Sequence, residues 1–266
     1  MGEVVGNEQL RVFWNQLLPW YLENVEVPTA IYSTMIPMLK LKSARKVAET
    51  GCGSGNGIEV LRLYLPQDAE IFANDLAEEM VNVVQSRNFL NTHCIACSND
   101  ELPYEDNSFD RYVSNVSLQI VPDPEKMLSE AYRILAPGGI AAFSVWGRQE
   151  NSSFHTVLSD AIEEAMGPSQ DHKRSNFHLN DPLRLKALIK AAGFSKVLTY
   201  FTLAPCGYRT VEEAMESYLS RPSVNKMRSG EHFELFSQCL RRKIHEILVV
   251  KEETISFECL VAVSYK

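Results

Sequence analysis

The chain has no apolar run approaching the roughly 18 residues that a membrane span requires, so no transmembrane helix is expected. It also lacks a surplus of positive charge: 26 Lys and Arg stand against 34 Asp and Glu, a formal net charge of -8. Nucleic-acid grooves carry a basic stripe, whereas the densest basic cluster here, Arg241-Arg242-Lys243, reads as the solvated face of a helix. Six cysteines show no spacing of a small disulfide framework, which points to reduced thiols in a cytoplasm. Cys94-x-x-Cys97 has metal-ligand spacing, but no second Cys/His pair follows. It falls in a predicted buried strand, where positions three apart face opposite ways, so no metal is expected. The start Met1-Gly2-Glu3 is polar and acidic, unlike a signal peptide, and Gly6 stands where a myristoylation signal wants Ser or Thr.

Two nucleotide signatures are missing as well. Counted from Gly51, a dinucleotide fingerprint needs its third glycine where Asn56 stands. A phosphate loop would need glycine, lysine and a hydroxyl residue where the chain has Asn56, Gly57 and Ile58.

What is present is Lys46-Val47-Ala48-Glu49-Thr50-Gly51-Cys52-Gly53-Ser54-Gly55-Asn56-Gly57: a β-prone run, then glycine at every second position, then a helix-prone run. Glycine tolerates positive φ and lets a ligand lie against backbone N–H groups. A helix opening just afterwards adds orphan donors and the positive end of its dipole. Residues 70–75 read as a second strand ending in Asp75, 24 positions after Gly51, and residues 77–89 as the helix behind it. A carboxylate there can accept two ribose hydroxyls. The competing reading is a helix N-cap.

Glu49-x-Gly51-x-Gly53-x-Gly55 resembles the first motif of the class I S-adenosylmethionine-dependent methyltransferases. So do Leu102-Pro103-Tyr104 with Asn107-Ser108-Phe109-Asp110, the passage Val121-Pro122-Asp123-Pro124-Glu125, and Ala136-Pro137-Gly138-Gly139, in family order from about residue 46 to 147. The small-molecule, type 11-like branch is the nearest in pattern. The resemblance implies a Rossmann-like α/β fold: a seven-stranded, mostly parallel sheet with the last strand antiparallel, helices on both faces, and a helical cap. It implies one domain over 1–266, with an N-terminal helical lid (1–43), a cofactor-binding core (44–147) and a C-terminal part with a cap insert (148–266).

The resemblance further implies S-adenosyl-L-methionine as cofactor. Glu49 would reach the methionine amino group, Gly51, Cys52, Gly53 and Gly55 would line methionine and ribose, and Asp75 with Leu76 would hold the ribose. Ser98 stands where the family usually has Asp, so adenine recognition passes to Asn99 or Asp100. Asn115 and Tyr21 complete the expected cofactor contacts. The aromatic run from Phe13 to Tyr21 suits an amphipathic helix over the cofactor mouth, although Phe13 and Leu17 are expected simply to pack the lid.

Acceptor residues are sought at Tyr32, at Gln119, where many relatives carry His, and at Trp146 and Arg148 after the fifth strand. His155, His172 and His178 are further candidates. Methyl transfer from a sulfonium chiefly needs alignment and exclusion of water, so no catalytic residue is assigned. A strand over 140–146 follows the Pro-Gly-Gly break, helices are expected over 152–166, 181–192, 210–219 and 231–248, and strands over 196–204 and 254–265. The expected activity is methyl transfer to an N, O or S atom of a small-molecule metabolite by a monomer or homodimer. The rivals are a non-catalytic S-adenosylmethionine-binding regulator, a nicotinamide-dependent oxidoreductase, and a protein or RNA methyltransferase.

Overall fold

The computed structural model describes residues 4–168 and 174–266, so residues 1–3 and His172 lie outside the described part. Seven strands form one sheet in the order β3-β2-β1-β4-β5-β7-β6. They are β1 (Lys46–Thr50), β2 (Glu70–Asp75), β3 (Thr92–Ala96), β4 (Phe109–Asn115), β5 (Leu135–Trp146), β6 (Lys196–Pro205) and β7 (Ser256–Tyr265). β1 to β5 pair in parallel, and β7 runs antiparallel between β5 and β6. This is the expected architecture. The order reverses at β1, whose neighbours are β2 and β4, and a doubly wound sheet opens its ligand crevice at such a point.

The helices are α1 (Asn7–Leu22), α2 (Glu26–Leu39), α3 (Asn56–Arg62), α4 (Glu78–Ser86), α5 (Pro124–Ile134), α6 (Ser153–Met166), α7 (Pro182–Ala191), α8 (Val211–Ser220), α9 (Pro222–Asn225) and α10 (Phe233–His245). Side-chain caps fix several starts: Asp123, Asp181 and Thr210 accept from the first-turn N–H groups of α5, α7 and α8. Proline follows the cap in α5 and α7, where it loses no helical bond.

Central strands are apolar on both sides and feed two cores. On one face Val47, Ile71, Val113 and Val261 meet Met35 and Leu39 of α2 and Ile58 and Leu61 of α3. On the other, Tyr112, Phe143 and Leu260 meet Met127, Leu128 and Ala131 of α5 and Leu185 and Ile189 of α7. The cap has its own core, where Val157 and Ala161 of α6 meet Met215 and Tyr218 of α8 and Phe236 and Leu240 of α10.

Three expectations need correction. The Ala136-Pro137-Gly138-Gly139 break lies inside β5: the pairing register jumps between Phe109 and Arg111, and Gly138 takes φ +79, so the chain bulges without leaving the sheet. β3 is not a buried strand; as the sheet edge it buries only Cys94, and Cys97 lies beyond its end, so the opposite-face argument does not apply to that pair. α10 stops at His245 and passes into a π-helical turn, Glu246–Val250, and the short α9 was not anticipated.

Buried Arg111 on β4 holds the lid to this frame. Its guanidinium donates to the carbonyls of Leu39 and Lys40, which end α2, and to Ser43 Oγ. Replacing Arg111 with Leu strands those acceptors, and we expect a loss of about 2 kcal/mol in urea unfolding; an unchanged midpoint would remove this role.

Candidate functional site

The glycine turn at the end of β1 is fastened to β2 before any ligand is considered. The Gly51 and Cys52 N–H groups both donate to the Asn74 carbonyl, at 2.8 and 3.0 Å. Gly51, Gly53 and Gly55 take φ of +67, +53 and +84, a region that side chains rarely adopt. The space above them is as restrictive as the backbone. A Cβ on Gly51 would lie 2.2 Å from Ser117 Oγ, and one on Gly53 would lie 2.7 Å from Tyr21 Oη. One on Gly57 would lie 2.3 Å from Glu49 Oε1 and 2.5 Å from the Tyr32 ring. Groups from α1, α2, β1 and the exit of β4 therefore meet on one turn.

Two carboxylates flank it. Asp75 Oδ2 accepts the Gly53 N–H at 2.9 Å and Oδ1 accepts the Ala77 N–H at 3.0 Å. Ala77 is the residue that caps α4, so Asp75 is a turn-forming residue two positions earlier rather than the cap. Burial raises its pKa, opposed by the N–H groups of Ala77, Gly53 and Leu76. Leu76 itself is half-buried directly after it.

Glu49 is 3% exposed and its Oε2 has no hydrogen-bond partner, nor does the buried hydroxyl of Tyr32 beside it. Burial pushes the Glu49 carboxyl well above its usual range; Cys94 adds to this and Tyr32 opposes it. A buried carboxyl with an open acceptor is costly on its own and suits a cationic ligand group. Cys52 Sγ lies 3.8 Å from Cys94 Sγ, a thiol contact far longer than a disulfide bond.

On the far side of the turn Asn99 Oδ1 accepts from Asn74 Nδ2 at 2.8 Å, and Asn99 Nδ2 faces Gly51. Asp100 accepts from Ser98 Oγ, which accepts in turn from Asn7 Nδ2 of α1 at 3.1 Å. Ser98, standing in place of the family's Asp, thus ties the lid to Asp100.

Other candidates are placed differently. Asn115 is engaged within the protein: its Nδ2 donates to the Pro28 carbonyl at 2.9 Å and its Oδ1 accepts from Ser144 Oγ at 2.6 Å. Tyr32, sought as an acceptor contact, is buried against Glu49 and Gly57. Gln119 is buried and donates to the Val116 carbonyl, leaving Oε1 without a partner, while His178 Nε2 lies 3.1 Å from its backbone oxygen. Arg148 points its guanidinium at Glu258, 2.7 Å away, and over the Phe201 ring. Phe13 is 52% exposed and sets its ring edge-on to Trp14 of the lid. Val116, just past β4, takes φ +55, a strained conformation for a β-branched residue at the crevice.

Trp146 ends β5. It lines a cavity of about 320 Å³ with His155, Leu158, Ile162, Phe177 and Arg221. Its ring stacks on His155 with centroids 3.8 Å apart. Arg221 and Phe177 were missed by sequence reasoning, because a lone Arg beside a proline and a lone Phe in a loop carry no linear signal of burial.

Sheet order, glycine turn and flanking carboxylates together define the class I methyltransferase fold. Residues 48–143 match the family described as "Methyltransferase domain", and the chain carries a domain of that S-adenosylmethionine-dependent type. Among similar proteins is malonyl-(acyl-carrier protein) O-methyltransferase of Bacillus anthracis, 26% identical over 155 residues, 58% of this chain and 57% of that protein. Another is the ubiquinone/menaquinone biosynthesis C-methyltransferase UbiE of Rickettsia typhi, 30% identical over 165 residues, 54% of this chain and 66% of that protein. The match thus spans little more than half the length of the first of these relatives. Among solved structures the (4+2)-cyclase SpnF superposes with a TM-score of 0.61 at 14% identity, covering 98% of this chain and 97% of that one, a likeness of fold alone.

Burial, and secondarily Arg221, lower the His155 pKa to about 3, so its ring is neutral near pH 7. The unfolded chain takes up a proton near pH 6.5 and the native one does not until about 3, so the stability is present above 6.5 and is lost as pH falls between those values. From pH 7 to 5 the wild type should lose roughly 2 kcal/mol more than His155→Phe. Urea titrations at the two pH values check this, and equal losses would refute it.

Proposed function

We propose that the protein transfers a methyl group from S-adenosylmethionine to a small molecule. The observation that carries this reading is the buried Glu49 carboxyl, its Oε2 without a partner, above a glycine turn that only a ligand without steric conflict can approach. The cofactor brings an activated methyl on a sulfonium, which needs no metal to leave. Glu49, with Tyr32 behind it, is suited to the methionine ammonium, because opposite charge compensates a buried carboxylate. Gly51, Cys52, Gly53 and Gly55 offer backbone to methionine and ribose. Asp75 is held by the Gly53 and Ala77 N–H groups, and its remaining lone pairs would accept the ribose hydroxyls. Asn99 and Asp100 border the adenine, and Tyr21 closes the turn from the lid.

The acceptor lies toward Trp146, with the lid and cap excluding water and holding its nucleophile in line with the methyl carbon. N, O and S are the acceptor atoms first expected; the named C-transfer of one relative adds carbon to those worth screening. Among the described residues no helix is long and apolar enough to cross a membrane. We assign the protein to the cytoplasm on its acidic surface charge and its lack of a disulfide framework.

Asp75→Ala should weaken S-adenosylmethionine binding by about 1.5 to 3 kcal/mol in calorimetry, through loss of charge-assisted hydrogen bonds; unchanged affinity would sink that role. Activity is tested by incubating the protein with methyl-labelled S-adenosylmethionine and pooled metabolites. Transfer of label to a small product is the expected result. Tight cofactor binding with no labelled product from any pool would instead favour a regulatory binding protein.

A further inference from the structure

Arg221 stands apart from the other arginines. Arg111 donates to four oxygens, Arg133 pairs with Glu130 and Asp106, and Arg148 pairs with Glu258. Arg221 is 9% exposed, its Nε and Nη2 are buried without a hydrogen-bond partner, and no carboxylate among the described residues lies within ion-pair distance. Its neighbours are rings. The guanidinium carbon lies 4.4 Å from the Phe154 centroid, 4.5 Å from Tyr218 and 5.3 Å from Trp20. Burial lowers its pKa, yet a guanidinium stays protonated across the physiological range. Ring faces compensate a buried cation only in part, and an unpaired buried charge is strongly disfavoured.

Two further groups beside it share the condition. Trp20 Nε1 and His155 Nε2 are buried without partners, and His155 feels the charge of Arg221. Arg221 and His155 are part of the wall of the cavity already described. Short chain links join this region to groups over the glycine turn. Trp20 precedes Tyr21, whose hydroxyl covers Gly53. Trp146 packs in one cluster with Val116, the neighbour of Ser117, which covers Gly51.

We infer that Arg221 binds a carboxylate of the methyl acceptor, so that the acceptor is an acid with a planar apolar body lying among Trp146, Phe177, Leu158 and Ile162. This rests on the reading of the cavity as the acceptor site of a methyltransferase. Arg221 is part of the cavity wall, and the planar fork of a guanidinium matches the two oxygens of a carboxylate. Carboxylate fits better than phosphate, since Arg221 is the sole cationic side chain among the described residues of the wall and would face two negative charges with one positive. A cavity of about 320 Å³ is at the small end of the range for metabolite sites.

The test compares 3-phenylpropanoate, its neutral isostere 3-phenylpropan-1-ol, and phenyl phosphate by calorimetry, with and without S-adenosylhomocysteine. The wild type should bind the acid at least tenfold more tightly than the alcohol, and Arg221→Gln should abolish that preference while Arg221→Lys keeps part of it. Equal binding of acid and alcohol by the wild type would overturn the inference without recourse to any variant that fails to fold. A preference that survives in a folded Arg221→Gln protein would overturn it too, leaving the guanidinium as packing among rings. Tighter binding of phenyl phosphate would overturn the choice of carboxylate. Failure of the wild type to bind S-adenosylhomocysteine, with the acid preference intact, would strike the methyltransferase reading and spare the anion site.

Discussion

One backbone carbonyl anchors the site: Asn74 O on β2, which accepts the N–H groups of both Gly51 and Cys52 as the chain leaves β1. That bifurcated attachment holds the turn in positive φ and stops it from relaxing into an ordinary loop. Asp75, the next residue after Asn74, adds a third tie by accepting from Gly53. The turn is thus defined by neighbouring parallel strands, and its shape is available only because β1 and β2 are in register from Lys46 and Glu70 onward. A parallel sheet with both faces covered supplies that rigidity.

The lid and the cap are linked to each other and to this centre by polar contacts that an apolar interface alone would not specify. Asn24, just after α1, donates to the Trp20 carbonyl and accepts from Ser217 of α8, which also meets the Tyr208 hydroxyl. Asn115 reaches the Pro28 carbonyl at the start of α2, and Tyr200 donates to Thr34 further along it. Arg11 pairs with Glu78 at the start of α4. These ties set where Tyr21 stands over the turn and Trp20 beside Arg221. The Asn24 and Ser217 tie also relates the cap to the N-terminal helices, although they are far apart in the chain.

Charge is distributed with a purpose that burial makes visible. Glu49 keeps one carboxylate oxygen without a partner at the turn, and Arg221 keeps one guanidinium edge without a partner beside the cavity. Most other half-buried charges in the protein are neutralised by a counter-ion or by carbonyls, as at Glu258 and Arg111. Burial of an ionisable group without a partner is costly, and each place is suited to a ligand group of opposite charge. His155, kept neutral by burial, lies between Trp146 and Phe154 and adds no competing charge.

The linear sequence by itself determined the glycine turn and the carboxylate beside it. Glycine spacing, a carboxylate ending the second strand and the Leu102-Pro103-Tyr104 passage are local patterns, because close backbone approach and strand-end geometry are properties of a few consecutive residues. The same locality explains why helix starts near 181 and 210 were legible, and why the Gly138 bulge was misread as a break: a glycine pair signals a departure from regular backbone without saying whether pairing resumes. The grouping around Arg221 was decided only by the tertiary structure. Trp20, Trp146, His155, Phe177 and Arg221 come from the lid, β5, α6, a loop and the α8–α9 junction. Nothing in their spacing shows that they converge, or that Arg221 is buried without an acid. Burial and the absence of a partner are relations among distant residues, and they exist only once the chain has folded.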